Sequence, residues 1–190
     1  MNALVLPSGT YFFCDTQINA DPGIAQISEM TLLAAEEVKR FGIRPKVALL
    51  SHSNFGTSDC ESAQKMRAAY ADLRRRDPAL EIDGEMQAEV ALSEEIRRAI
   101  MPNSNLKGAA NLFIMPNIDA AHIAFSLLRS LADGISIGPL LLGCARPAHI
   151  VTPSATTRGL INISAIATVA AQVLEEEMKD DRTHHISRHF

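Results

Sequence analysis

The sequence predicts an α/β fold, in which a parallel sheet of about five strands is sandwiched between helices. Short segments that favour β-structure alternate along the chain with longer segments that have the helical spacing of apolar residues. One strand segment, Val47–Leu50, is entirely apolar, as expected of a parallel strand that is buried on both faces. With 190 residues, the chain is long enough to bury a substantial core.

The first half of the chain supplies two strand–helix units. Residues 10–14 (TYFFC) are aromatic and β-prone, and the helix that follows them ends at Gly42. Val47–Leu50 is the second strand. Ser58 is expected to cap the next helix, because Ser58 and Glu61 have the S-x-x-E spacing of a capping box.

The second half continues this alternation. We expect three further strands, at residues 80–82, 110–115 and 148–151, and an Asp83-Gly84 turn after the first of them. The accompanying helices are a short one over residues 92–100, one that follows Pro116-Asn117 and ends at Gly134, and a last one over residues 160–178. Right-handed crossovers would then connect parallel strands.

Composition and charge exclude several classes of function. The net charge is -4, and no dense stripe of lysine and arginine is present, so we expect no nucleic-acid partner. The three cysteines are far apart and form no C-x-x-C pair, which indicates reduced thiols in a cytoplasmic protein. The N-terminus does not resemble a signal peptide, and we expect no segment to approach the length of a membrane span.

The loop at residues 51–58 (SHSNFGTS) is the first candidate for a binding site. It follows a buried strand and ends at a helix N-terminus, where free amides and the helix dipole attract an anion. The same residues also suit an ordinary strand-to-helix turn, and no Gly-x-x-x-x-Gly-Lys motif decides between the two.

Ligands of open α/β sheets bind beyond the carboxyl ends of the strands. The loops expected at those ends cover residues 15–21, 51–58, 83–87, 116–119 and 152–158. They carry many hydroxyls and amides, a few acids and one clear cation, Arg158. This mixture suits a polar or phosphorylated ligand better than acid–base chemistry.

Other chemistries have weak support. His52 lies between Ser51 and Ser53, but adjacent side chains of an extended segment point in opposite directions, and no G-x-S-x-G motif accompanies them. No G-x-G-x-x-G motif is present, which argues against a nicotinamide site in these residues.

The clustered acids and histidines are also better explained without a metal site. Asp83, Glu85 and Glu89 could hold a divalent cation, but a solvated acidic face is the favoured explanation. His122 lies on an apolar helix face, which favours a packing role. For the histidines of the C-terminal tail, a frayed and solvated tail is favoured over metal binding.

Several motifs together resemble the phosphotransacetylase family. They are DTQINADP, KVALLSHSNFG, EIDGEMQAEVALSEEIR, LKGAANLFIMPNIDAAHIAFSLL, GPLLLG and HIVTPSATTRGLINISAIA. Within the family, SHSNFG, DGEMQ, MPNIDA and TPSATTRG are most similar to the phosphotransacetylase-like C-terminal domain of bacterial NADP-dependent malic enzymes. The resemblance runs from residue 10 to residue 172.

The resemblance implies a two-lobed α/β acetyltransferase unit that binds coenzyme A in the cleft between its lobes. This chain is similar to the second half of such a unit, so we expect the first lobe, and the malic enzyme catalytic region, to lie outside it. Residues 1–178 would form the lobe, and residues 179–190 a charged, disordered tail.

Departures from the family pattern fall at its chemical centre. By the resemblance, Thr152 stands where active members have a serine, Pro153 where they have an arginine, and Gly159 where they have the aspartate that deprotonates the thiol. Proline cannot hold a phosphate, and glycine has no side chain that could act as a base. His122 also replaces the usual asparagine. We therefore predict no catalytic residue in this lobe.

The resemblance thus implies a regulatory domain of an NADP-dependent malic enzyme, which oxidatively decarboxylates malate to pyruvate. Acetyl-CoA is the expected effector, whereas NADP and a divalent metal would bind only in the catalytic region. No metal ligand is expected in this lobe. The residues expected to contact acetyl-CoA or phosphate are Ser51, Asn54, Gly56, Thr57, Ser58, Thr152, Ser154 and Arg158.

Two other functions stay open. One is a working phosphate acetyltransferase that interconverts acetyl-CoA and acetyl phosphate, with Thr152 and Arg158 compensating for the lost residues. The other is a structural assembly module, because the resemblance implies self-association through the helices of this lobe. The expected partners are therefore an acyl-CoA and a second copy of the chain, with no nucleic acid and no membrane.

Overall fold

The computed structural model describes residues 1–151 and 155–186. In this part of the chain, one sheet of six strands is accompanied by six helices. The strands are β1 (Asn2–Leu6), β2 (Gly9–Cys14), β3 (Val47–Leu50), β4 (Ile82–Met86), β5 (Leu112–Ile114) and β6 (Ile135–Ile137). The helices are α1 (Ile24–Arg40), α2 (Glu61–Arg76), α3 (Ala88–Leu92), α4 (Glu94–Ile100), α5 (Ile118–Leu131) and α6 (Thr157–Ile186).

The sheet is mostly parallel, with the strand order β4-β3-β5-β2-β1-β6. Neighbouring strands from β4 to β2 pair in parallel. β1 pairs antiparallel with both β2 and β6, so it alone among these six strands runs against the common direction. The predicted α/β class with about five parallel strands is therefore confirmed.

Helices cover both faces of the sheet because the side chains of each strand alternate between two cores. Phe12, Val47 and Leu112 pack on one face against α1 and α2. Phe13 and Phe113 pack on the other face against α3 and α5. The strand ends therefore remain the places where loops can form a site.

The margin of the sheet at β1 and β6 differs from the prediction. Neither strand was expected, and residues 148–151, which were expected to form the fifth strand, contain no strand. β6 instead pairs with β1, with Ala3 opposite Ile137 and Val5 opposite Ile135. Strands of three to five residues are too short for periodicity to identify with certainty, which explains the error.

The Asp83-Gly84 turn is also wrong, because both residues lie inside β4. Gly84 has φ +147, and a Cβ on it would lie 2.7 Å from both the carbonyl oxygen and the Cβ of Leu49 on β3. Glycine is required at this position because φ is positive and because β3 approaches closely. Turns require glycine for the same reasons, so the Asp83-Gly84 pair suggested a turn.

The expected capping box is wrong as well. α2 begins at Glu61, and Cys60 rather than Ser58 occupies the N-cap position. The Ser58 hydroxyl instead accepts a hydrogen bond from the Cys60 amide at 3.3 Å. The helix starts two residues later than expected, because the Ser58 hydroxyl bonds the Cys60 amide in a local turn before the helix begins.

α6 is longer than expected, and its segment Thr157–Glu176 is mostly not buried. It continues to Ile186, past the expected end at residue 178, so residues 179–186 of the expected tail are helical; residues 187–190 lie outside the described part. No glycine or proline interrupts residues 160–186. By length and composition Thr157–Glu176 could cross a membrane, contrary to our expectation, although one such helix is weak support for a membrane protein.

Candidate functional site

The loop at residues 51–58 lies at the carboxyl end of β3, but much of its polar surface is engaged within the protein. The Asn54 side chain pairs with Gln87, donating from Nδ2 to Oε1 at 2.7 Å and accepting from the Gln87 amide at 2.8 Å. The Thr57 hydroxyl accepts from the Asn54 amide at 3.1 Å. These bonds hold the loop against the end of β4.

A carboxylate of the chain itself occupies the anion position of this loop. Glu85 Oε1 accepts hydrogen bonds from Ser53 Oγ at 2.9 Å, from the Gly56 amide at 2.9 Å and from Arg67 Nη1 at 3.0 Å. Glu85 is fully buried. The geometry that attracts an anion is thus present, but Glu85 supplies the anion for the Gly56 amide.

The expectation of a solvated acidic face is wrong for two of its three residues. Asp83 and Glu85 are buried, and only Glu89 is exposed. Asp83 Oδ2 accepts from the Ser104 hydroxyl at 2.6 Å and from the Asn105 amide at 3.1 Å. Within the described residues, no group of three or more histidine, cysteine or acidic side chains could hold a metal ion.

A second candidate site is a cavity of about 590 Å³, which lies elsewhere, between α5, β6 and the start of α6. His122, Arg129 and Arg158 line it, together with amides such as Gln17 and Asn162. None of the described residues that line it is an aspartate or glutamate. Two guanidinium groups, with no carboxylate among the described lining residues, make this cavity suitable for a ligand with negative charge.

The side chains on α5 reach this cavity because they lie on one helical face. Asn117 caps α5, its Oδ1 accepting from the Ala120 amide at 2.9 Å. His122, Ser126 and Arg129 then follow at intervals of four and three residues. Arg129 also lies 5.7 Å from the centre of the Phe125 ring, a cation–π contact that orients its guanidinium.

His122 is not the packing histidine that its sequence context suggested. It is exposed, and its Nδ1 lies 3.3 Å from the carbonyl oxygen of Thr16. A carbonyl can only accept, so this contact assigns the proton to Nδ1 and leaves Nε2 without it when the ring is neutral. The error arose because neighbouring residues on α5 are apolar but remain exposed, such as Ile123.

Arg158 enters the cavity wall from the first turn of α6. The turn is held by the Thr156 hydroxyl, which accepts from the Gly159 amide at 3.0 Å, and Gly159 also lines the cavity. Thr152 and Ser154, which were expected to act beside Arg158, lie outside the described residues.

The structure does not bring the two sets of expected contact residues into one cavity. Arg158 lines the cavity at the β1 and β6 margin, and no residue from 51 to 58 lines that cavity. In the sheet, β3 and β6 are separated by β5, β2 and β1. Four strand spacings correspond to roughly 19 Å. Contact of residues 51–58 with a ligand stays a prediction.

The contributors that the sequence analysis missed include Arg67, Arg129 and Gln17. Arg129 could have been found, because His122, Ser126 and Arg129 form a polar stripe of helical spacing on a largely apolar helix. Arg67 and Gln17 carry no comparable local signal, since their partners come from distant parts of the chain.

Comparison with known proteins connects this sequence and fold with an enzyme family. The family model described as phosphate acetyl/butaryl transferase matches residues 1–168. A phosphotransacetylase from Streptococcus pyogenes has a solved structure with a TM-score of 0.84 and 30% identity, covering 92% of this chain and 53% of that one.

Two malic enzymes are more similar in sequence. The NADP-dependent malic enzyme of Escherichia coli (strain K12) is 54% identical over 173 residues, which are 90% of this chain and 23% of that protein. The NAD-dependent malic enzyme of Rhizobium meliloti (strain 1021) is 47% identical over 169 residues, 89% of this chain and 22% of that protein. The chain thus spans about a quarter of the length of these relatives. The resemblance expected from the motifs is confirmed.

Proposed function

Because this chain belongs to the phosphate acetyl/butaryl transferase family, we propose that it is the regulatory region of an NADP-dependent malic enzyme, which binds acetyl-CoA without transferring its acetyl group. In this proposal malate is decarboxylated elsewhere in the protein, in a region that binds NADP and a divalent metal. The similarity to both NADP- and NAD-dependent malic enzymes supports the assignment of this chain to a malic enzyme. The three unpaired cysteines are compatible with a reducing cytoplasm.

The observation that carries the proposal is the cavity lined by His122, Arg129 and Arg158 without an acidic residue among its described lining. Coenzyme A carries several phosphate groups, and arginine is well suited to bind phosphate through two parallel hydrogen bonds. A cavity of about 590 Å³ accommodates part of such a ligand. The N-terminus of α6 adds a favourable dipole at the same wall.

The proposed lack of acetyl transfer rests on the same wall of the cavity. The resemblance assigns the thiol-deprotonating aspartate to the position of Gly159, which lines the cavity but has no side chain. Ligand binding would then act only by changing the balance between conformations of the whole enzyme. A coupling free energy of roughly 1–3 kcal/mol is sufficient for such control.

One observation favours a second function, an active phosphate acetyltransferase. His122 lies in the cavity wall with its Nε2 free to accept a proton, so it could replace the missing aspartate as the base. Arg158 would then hold the phosphate.

The test uses a malic enzyme that carries this region. We expect acetyl-CoA to inhibit malate-dependent NADP reduction, and Arg158→Ala to raise the inhibitory concentration by about tenfold or more, since a charged hydrogen bond is lost. Arg98→Ala is the matched control, because Arg98 pairs with Glu94 on the exposed surface of α4, away from the cavity lining. It should leave inhibition unchanged.

Two results would contradict the proposal. Malate decarboxylation that ignores acetyl-CoA, together with no heat of binding in calorimetry, would leave only an assembly role for this region. Formation of acetyl phosphate at ordinary enzymatic rates, lost in His122→Asn, would favour the acetyltransferase.

A further inference from the structure

A second group of reactive side chains lies at the start of α2, outside the cavity described above. Cys60 Sγ is 3.7 Å from His52 Nε2 and 4.0 Å from His52 Nδ1. His52 Nε2 is also 3.2 Å from the Ser58 hydroxyl, which orients the ring. Cys60 and His52 are both exposed. A thiol, an imidazole and an orienting hydroxyl are thus assembled at one solvent-accessible point.

The position of Cys60 favours its thiolate. It is the N-cap residue of α2, a helix of 16 residues. The backbone amide of Ala63 and the hydroxyl of Ser58 lower the pKa of the Cys60 thiol, and Arg67 adds a smaller effect of the same sign. The residues on either side of Cys60 in the chain are both acidic: Asp59, which pairs with Arg67, and Glu61 in the first turn of α2.

The other two cysteines provide internal comparisons. Burial raises the pKa of Cys14 to about 11, so its thiol is both inaccessible and protonated. Cys144 is exposed, like Cys60, but has no hydrogen-bond partner among the described residues. Comparison with Cys14 therefore tests the effect of accessibility, and comparison with Cys144 tests the effect of the groups around Cys60.

The geometry points to Cys60 and His52 as a thiol–imidazole pair that takes up low-molecular-weight disulfides as mixed disulfides. The Cys60 proton moves to His52, and the thiolate attacks one sulfur of the disulfide. A bond forms between Cys60 Sγ and that sulfur, the original S–S bond breaks, and the departing thiolate takes the proton from His52. Cys60 is oxidised and the departing sulfur is reduced, so no further reactant is needed.

The Cys60–His52 pair is separate from the cavity of His122 and Arg158, since neither residue lines that cavity. An adduct on Cys60 would stand at the N-cap of α2, beside the Ser58 hydroxyl that holds the end of the loop at residues 51–58. The adduct would therefore report the redox state of the thiol pool at this loop.

The test treats the 190-residue chain with oxidised glutathione near pH 7 and follows each cysteine by peptide mass spectrometry. An ordinary thiol is only about 3% ionised there, so full ionisation would raise its rate by at most roughly 30-fold. We expect Cys60 to react about 3- to 30-fold faster than Cys144, and Cys14 not to react in the folded chain.

The variant His52→Gln distinguishes the effect of the imidazole on Cys60 from the effect of the helix N-terminus. We expect it to slow the reaction of Cys60 by about threefold or more while the rate at Cys144 stays the same. Circular dichroism establishes that the exposed substitution leaves the fold intact. The proposal is overturned if Cys60 reacts no faster than Cys144, or if His52→Gln leaves its rate unchanged.

Discussion

Glu85 illustrates how one buried charge organises a surface loop. Its Oε1 receives hydrogen bonds from a hydroxyl, a backbone amide and the Arg67 guanidinium, while the residue itself is fully buried. A buried carboxylate is tolerated only when it is paired and hydrogen-bonded. The shape of the loop at residues 51–58 therefore depends on a side chain about thirty positions further along the chain.

Glu85→Ala should destabilise the chain by about 3 kcal/mol, because the Gly56 amide loses its partner and Arg67 loses the buried one of its two carboxylates. Glu85→Gln should cost less, since it keeps an oxygen that can accept these bonds. Urea unfolding measures both. Glu36→Ala is the control, because its pair with Lys39 is exposed and worth less than about 0.5 kcal/mol. A cost for Glu85→Ala as small as that of the control would refute the role of Glu85.

At the scale of elements, Arg97 joins two short helices and a loop that have little core of their own. Arg97 is fully buried on α4. Its guanidinium donates to the carbonyls of Val90 and Ala91 and to those of Leu106 and Gly108, at distances between 2.6 and 3.3 Å. Because α3 has five residues and α4 seven, such bonds replace the helix stability that length would provide.

Arg97→Met should lower the free energy of unfolding by about 3 kcal/mol or more, because methionine fills the space but leaves several buried carbonyls without a donor. The neighbouring Arg98→Met serves as the control, since Arg98 is exposed and pairs only with Glu94. Thermal and urea unfolding of the two variants should therefore differ clearly. Equal stability would show that the Arg97 network contributes nothing.

At the scale of the molecule, the outer surfaces of α5 and α6 are unusually apolar. Leu131 is 82% exposed, Ile161 is 63% exposed and Val169 is 53% exposed. Large exposed apolar surfaces mark sites of association. They support the proposal that this chain self-associates through its helices.

We expect the chain to have a mass in solution above the 20.6 kDa of one copy, as measured by light scattering. Val169→Asp should shift the population to single chains, because a charge would have to be buried at the contact. Leu92→Asp is the matched control, since Leu92 is a similarly exposed leucine on α3. A single-chain mass for the unmodified protein would contradict self-association.

Most of the fold could be predicted because strand and helix patterns are local. The buried run Val47–Leu50 and the periodic helices on both sides of it gave the correct class and most of the elements. The errors concern β1, β6 and the ends of β4. There, pairing with distant strands and the close approach of Gly84 to Leu49 decide the conformation, and neither leaves a local pattern.

The sequence by itself determined the α/β class, the family resemblance and the position of a polar loop after β3. Only the tertiary structure decided which polar groups are free. It directs Glu85 to the Gly56 amide and brings His122 and Arg129 together with Arg158, although the latter lies on another helix. The physical reason is that buried polar groups must find partners, and those partners come from strands and helices far apart in the chain.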